Sequence, residues 1–179
     1  MDIRVVHHRS RAAGSVATVI DVTSRGPHPW VRCSPFYPHG GIPVPLSPGA
    51  VGTSVEAIWQ ALKVFDTAGV DRDLLTATRM TGLKRTVRRF GPVRGHRAGL
   101  DGTDLLDYET ARRRIYLPAY RFVLDRHLGA ELTQLRALAT AGPVALLDYT
   151  TNGDVSDLTK PLSHAALIRL HVLNEWPPG

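Results

Sequence analysis

Glu56, Gln60 and Lys63 are the residues of this chain whose types and spacing best suit chemistry. They fall at i, i+4 and i+7, which on a helix turning about 100° per residue lines them along one face over roughly 10 Å. A carboxylate, an amide and an amine in such a strip can grip a small polar ligand. A lysine that sits beside a carboxylate and partly out of water can lose its proton and act as an amine nucleophile. A guanidinium cannot, because it stays charged. Of the 22 basic residues only Lys63, Lys84 and Lys160 are lysines, so an amine at this point stands out against an arginine background. The plainer reading is structural, with Glu56 as a helix cap, Gln60 as a solvated amide and Lys63 as a complement to the helix dipole.

Thr53, three residues before Glu56, gives the pattern of a capping box and starts the helix. Val55, Ile58, Trp59, Leu62 and Phe65 repeat at helical spacing and supply its buried face. The expected end is Ala68-Gly69, with Asp71 or Asp73 capping a second helix through Met80, so that the two form a helical hairpin.

The stretch Glu56 to Phe65 resembles the E-x-x-x-Q-x-x-K signature of the NADAR (YbiA-like) family of N-glycosidases. Ser34-Pro-Phe36-Tyr37-Pro38 is similar to that family's S-x-F-x-P stretch, and Ala77-Thr-Arg79-Met80 to its A-x-x-M-G-R segment. Tyr108 to Phe122 resembles its W-x-x-x-R-x-x-x-M helix. Leu146 to Asp154, followed by Leu162 to Leu170, resembles its Asn-Asp loop and closing helix. These pieces keep their order over about Cys33 to Val172, and the helix motif is the most specific of them. The chain departs from the pattern at Asn152-Gly-Asp154-Val-Ser-Asp157-Leu, which lacks the family's Trp-Gly.

The resemblance implies an α+β fold, a mainly helical single domain around a small β-sheet. It implies a hydrolase that breaks the N-glycosidic bond of a ribosylated nucleotide or base, with ADP-ribosyl-guanosine or a riboflavin-pathway ribosylamine phosphate as substrate. Lys63 would condense with the opened ribose as a Schiff base. Glu56 would exchange protons with the sugar, and Asp154 would activate water. Ser34, Phe36, Trp59, Gln60, Arg79 and Asn152 would bind substrate. Neither a cofactor nor a metal is needed. The partner is then a phosphorylated ribosyl small molecule or an ADP-ribosylated guanine nucleotide or nucleic acid.

Composition agrees with these bounds. A chain of 179 residues with 43% hydrophobic content suffices for one full core, here expected as a single domain over 1–179. No apolar run approaches the ~20 residues of a membrane span and no leader-like segment opens the chain, so a cytoplasmic protein is expected. Cys33 is the sole cysteine, which excludes an intramolecular disulfide and a Cys-based metal site. A net charge of +6 and a pI of about 10.0 favour anionic partners.

In chain order, Ile3–His7 and Val16–Thr23 read as strands within 1–25, suited to a hairpin. Residues 26–52 form a loop in which prolines and glycines exclude a regular helix. Phe36 and Tyr37 suit stacking on a ring, or plugging the core edge. His39 beside Gly40-Gly41 suits phosphate contact, or a solvated turn. The helical body covers 53–173. Within it Arg79 to Arg97 carries the densest positive charge, a phosphate clamp or a wet surface, with Gly91, Gly95, Gly99 and Gly102 pointing to a loop. Asp104–His127 reads as a long helix that Pro118 kinks or divides. Glu131–Thr140 reads as a short helix, residues 144–149 as a buried strand, and Leu162–Leu173 as a last helix capped by Thr159 or Ser163. The competing function is a non-catalytic nucleic-acid or nucleotide-binding module that uses the Arg79 to Arg97 run, with Glu56 and Lys63 as a plain ion pair.

Overall fold

Val144-Ala145-Leu146-Leu147-Asp148 is apolar on both faces, and a strand of that kind belongs at the centre of a parallel sheet. In the computed structural model, which describes residues 1–10 and 18–178, that is its place. Strand β8 (Val144–Asp148) lies between β1 (Ile3–His7) and β2 (Thr18–Asp21) and runs parallel to both. The expected hairpin of the first two strands is therefore replaced by two parallel pairings through β8. Parallel neighbours cannot be joined by a tight turn, so the central strand comes from far along the chain. Val16 and Ala17, the expected start of the second strand, lie outside the described residues.

The fold is α+β with small sheets, and its contacts divide the chain into two compact units. One comprises residues 1–34 and 124–178, the other residues 35–123. The first unit contains the β1-β8-β2 sheet, helix α5 (Gly129–Ala141) and helix α6 (His164–Val172). Leu132, Leu135, Leu146, Leu167 and Ile168 are buried in it. Both helices fall close to their expected positions. Ser163, not Thr159, caps α6, its hydroxyl accepting from the Ala166 N–H at 3.1 Å.

The second unit departs most from expectation. Residues 26–52 do avoid an α-helix, but they carry a 3-10 turn at Trp30–Cys33, in the first unit, and in the second unit a two-stranded ladder of β3 (Ile42–Pro43) and β4 (Val51–Gly52). Helix α1 (Val55–Leu62) is short, and Lys63–Phe65 forms strand β5 instead of its last turn. In place of a second helix through Met80 there is a single 3-10 turn at Arg72–Thr76. After the one-turn helix α2 (Val87–Phe90) comes β6 (Val93–Arg97), the central strand of an antiparallel sheet with β5 and β7 (Leu105–Leu106). The glycines expected to loosen this region include one that builds the sheet. Gly95 has φ +146, and a Cβ on it would lie 2.5 Å from the Leu106 carbonyl oxygen, so only glycine lets β7 pass this close.

The expected long helix begins four residues late, because Leu105–Leu106 pairs as β7 and Asp107 serves as the cap; from there it runs as α3 (Tyr108–Ala111), a π-helical turn (Arg112–Tyr116) and α4 (Leu117–His127). The widened turn directly precedes Pro118, which has no N–H to donate and interrupts the i to i−4 ladder there. Among the described residues no helix is long and apolar enough to cross a membrane, and no group of three or more His, Cys, Asp and Glu side chains is placed to hold a metal ion.

A buried charge pair fastens α6 to the first sheet. The His164 Nδ1 lies 3.0 Å from the Asp148 carboxylate, and its Nε2 lies 2.8 Å from the Val22 carbonyl. Ser163 Oγ donates to the same carboxylate at 2.7 Å. Burial opposes both charges, yet the His164 charge and these donors hold Asp148 below its ordinary 3.8, and the Asp148 charge holds His164 above its ordinary 6.5. The histidine's contribution to stability is thus complete below about pH 6.5 and is lost as pH rises through its folded value. The aspartate's is complete above about pH 3.8 and is lost as pH falls further. Urea denaturation should accordingly show greatest stability between these limits. His164→Gln should flatten the alkaline decline, and Asp148→Asn should cost about 3 to 5 kcal/mol near neutral pH by stranding a buried imidazolium. Unchanged pH profiles in both variants would contradict this role.

Candidate active site

Helix α1 is buried along its whole length, including Glu56 and Gln60. Its cap is Ser54, one residue later than expected: Ser54 Oγ accepts from the Ala57 N–H at 3.1 Å. Thr53 turns away and donates to the Ala77 carbonyl. Glu56 therefore stands one position too early for a capping box, and its carboxylate is free for another use. Gln60 Nε2 donates to Glu56 Oε1 at 2.9 Å, while the Glu56 N–H donates to the Pro35 carbonyl at 2.9 Å.

The helix stops at Leu62 because its last carbonyls are claimed by another segment. The Arg85 guanidinium donates to the carbonyls of Gln60 at 3.2 Å, Lys63 at 2.6 Å and Gly69 at 2.8 Å, and the Arg85 N–H donates to Gln60 Oε1 at 2.9 Å. The Asp71 N–H takes the Ala61 carbonyl at 2.9 Å. Lys63 then adopts extended angles (φ −70, ψ 130) and enters β5. The three polar residues thus do not share a helical face: Glu56 and Gln60 sit on α1, and Lys63 on the strand that follows.

Lys63 nevertheless remains within electrostatic reach of Glu56. Burial raises the Glu56 carboxyl above its ordinary value, against the Gln60 hydrogen bond and the charges of Lys84 and Lys63. Burial likewise lowers the Lys63 amine, which Glu56 partly restores and which Lys84 and Arg85 push down further. The Lys63 Nζ lies 6.0 Å from the centre of the Phe65 ring. Among the described residues no salt bridge closes it onto Glu56, and its side chain is half-buried, not sealed.

Phe36 joins this cluster: the Lys84 Nζ lies 5.7 Å from its ring centre. Trp59 is buried, its ring 3.7 Å from that of His96 and 5.8 Å from that of Tyr116. Arg79 is exposed. Within the basic run Arg85 ties down backbone, Arg94 is paired with Asp66 and Arg97 holds the Thr103 carbonyl, whereas Arg79, Lys84, Arg88 and Arg89 are exposed. Ser34, Asn152 and Asp154 belong to the other unit. Ser34 is buried there. Asn152 Nδ2 donates to the carbonyls of Asp157 at 3.0 Å and Lys160 at 3.2 Å, and Asp154 is exposed with Oδ1 accepting from the Ser156 N–H at 2.9 Å. Cys33, also in that unit, is buried and its thiol is pushed up to about 12, so it is no nucleophile at neutral pH.

Two members of the cluster are not singled out by the sequence. Lys84 lies inside a charge run that offers no reason to choose it. His96 lies in a glycine-rich stretch whose strand character depends on pairing with β5.

The model of a family of unknown function (DUF6939) matches residues 4–168. The chain belongs to that family. The match spans Glu56, Lys63, His96 and the Asp148–His164 pair alike, so it takes in every residue of the cluster. No curated protein and no solved structure matches the chain.

If Arg85 ends α1 as described, Arg85→Ala should lower stability by about 2 kcal/mol, the scale of charge-assisted bonds to backbone carbonyls. Urea denaturation would measure this, and a midpoint equal to wild type would contradict it.

Proposed function

We propose that this protein is an N-glycosidase that cleaves the bond between a nitrogenous base or amine and C1 of a phosphorylated ribosyl group. The reading rests on one observation above all: a half-buried lysine with lowered proton affinity stands near a buried carboxyl with raised proton affinity, and no salt bridge closes the two together. Such a couple moves the amine toward its neutral form and the carboxyl toward its protonated form, the states needed in a nucleophile and a general acid. The resemblance of Glu56, Gln60 and Lys63 to the NADAR signature supports the same assignment, as does the α+β fold.

In this mechanism the neutral Lys63 amine attacks C1. The C1–N bond breaks, and Glu56 gives its proton to the departing nitrogen. The ring opens as the C1–O bond breaks, its oxygen taking a proton shed by the lysine nitrogen, and C1 is held as a protonated imine to Lys63. Water adds at C1, the C1–lysine bond breaks, and free ribosyl aldehyde and the amine are restored. Exposed Lys84 and Arg79 are among the cations that suit the phosphate, and Phe36 suits stacking on a ring. The substrate classes in view are ADP-ribosyl-guanosine compounds and ribosylamine phosphates, with no cofactor, in the cytoplasm.

The internal engagement of Arg85, Arg94 and Arg97 leaves fewer cations for a nucleic-acid grip and disfavours the alternative of a binding module. Incubation with ribose 5-phosphate or an ADP-ribosylated guanosine nucleotide, followed by borohydride, should leave a stable secondary amine mapped to Lys63 by mass spectrometry. Lys63→Ala should lose the adduct and turnover by at least about 1,000-fold, and Glu56→Gln should slow turnover by about 100-fold or more. Equal turnover by wild type and Lys63→Ala would remove the proposal.

A further inference from the structure

His96 is 1% exposed, and neither its Nδ1 nor its Nε2 has a hydrogen-bond partner. A buried polar group left unpaired costs about 1 to 3 kcal/mol, and native chains keep few such groups without a use for them. The ring is fixed on one side by Trp59, 3.7 Å between centres with planes 35° apart. On the neighbouring strand Lys63 is its direct partner in the antiparallel register. Directly opposed residues of an antiparallel pair project to the same face with Cβ atoms about 5 Å apart, so imidazole and amine flank one position. Burial, and then the Lys63 charge, lowers His96 to about 3, so it is neutral at physiological pH and presents one N–H donor and one acceptor nitrogen.

That combination selects its ligand. An ammonium offers donors only and an ionised phosphate or carboxylate offers acceptors only, so each would leave one ring nitrogen unpaired. Hydroxyl groups both donate and accept. We propose that His96 is a substrate-binding residue of the Lys63 site, its two ring nitrogens exchanging hydrogen bonds with hydroxyls of a sugar held against Lys63. This inference rests on the glycosidase reading and adds to it the group that recognises the sugar, distinct from the cations that suit phosphate.

His96→Phe tests it, since the replacement keeps a flat ring against Trp59 and removes both nitrogens. The variant should unfold at the same urea concentration as wild type or a higher one, because unpaired buried polar atoms are gone. The ribose 5-phosphate concentration needed for half-maximal borohydride trapping on Lys63 should rise by at least about tenfold, the equivalent of one lost hydrogen-bonding group. Without relying on a variant, the 15N signals of His96 in wild-type protein should move on addition of ribose 5-phosphate and stay still with inorganic phosphate alone. Trapping by His96→Phe at wild-type concentrations, or imidazole signals that do not respond to the sugar, would overturn the inference while leaving the Lys63 chemistry standing. If wild type forms no adduct with any ribosyl compound, the glycosidase reading and this inference fall together.

Discussion

Burial of a carboxyl group on a helix with no salt bridge to it among the described residues is the constraint from which the rest of the site follows. Glu56 lies on a helix that is buried along its whole length, and there the ionised form is costly unless donors and cations surround it. Gln60 provides a donor from one turn further along, and Lys63 and Lys84 provide charge from outside the helix. The amine that helps Glu56 is itself drawn out of water. Each group therefore shifts in the direction that brings its proton affinity nearer the other's. An ordinary surface ion pair would do the opposite, with both groups more firmly charged.

The geometry depends on where α1 ends. Continued as a helix, the chain would carry Lys63 round on the same cylinder as Glu56. Arg85 prevents this by taking the carbonyls of Gln60, Lys63 and Gly69, and β6 then offers Lys63 an extended partner. A single guanidinium so converts a polar strip on one helix into a helix-strand corner. The corner is also what opposes Lys63 to His96, a pairing that no helical register would give.

Much of this was legible in the residues, and the reasons for the misses are specific. The apolar periodicity of Val55, Ile58, Trp59 and Leu62 located α1, and the apolar run Val144 to Leu147 located the buried strand, because burial imprints itself on local pattern. Ser54 and Thr53 are equally good caps by type, and only the Thr53 contact with Ala77 decides between them. Phe65 continued the helical spacing by coincidence, since an apolar residue in a short strand fits that period as well. Strand β5 is too short, and β6 too polar, for either to announce itself without the other. The pairing of β1 and β2 through β8 joins segments more than a hundred residues apart, where sequence proximity suggested a hairpin. Asp148 and His164 were ordinary residues until the fold set them 3.0 Å apart.

The central claim is that Lys63 and Glu56 are shifted toward each other in the folded protein, and site-resolved titration tests it directly. With 15N-labelled lysine and 13C-carboxyl-labelled glutamate followed by NMR across pH in the full chain, Lys63 should titrate below the ordinary 10.5 and Glu56 above the ordinary 4.5. Glu56→Gln should move Lys63 lower still, since the carboxylate is what holds it up. A lysine titrating at its ordinary value beside a glutamate at or below its own would describe a solvated or conventionally paired couple, and would contradict the account.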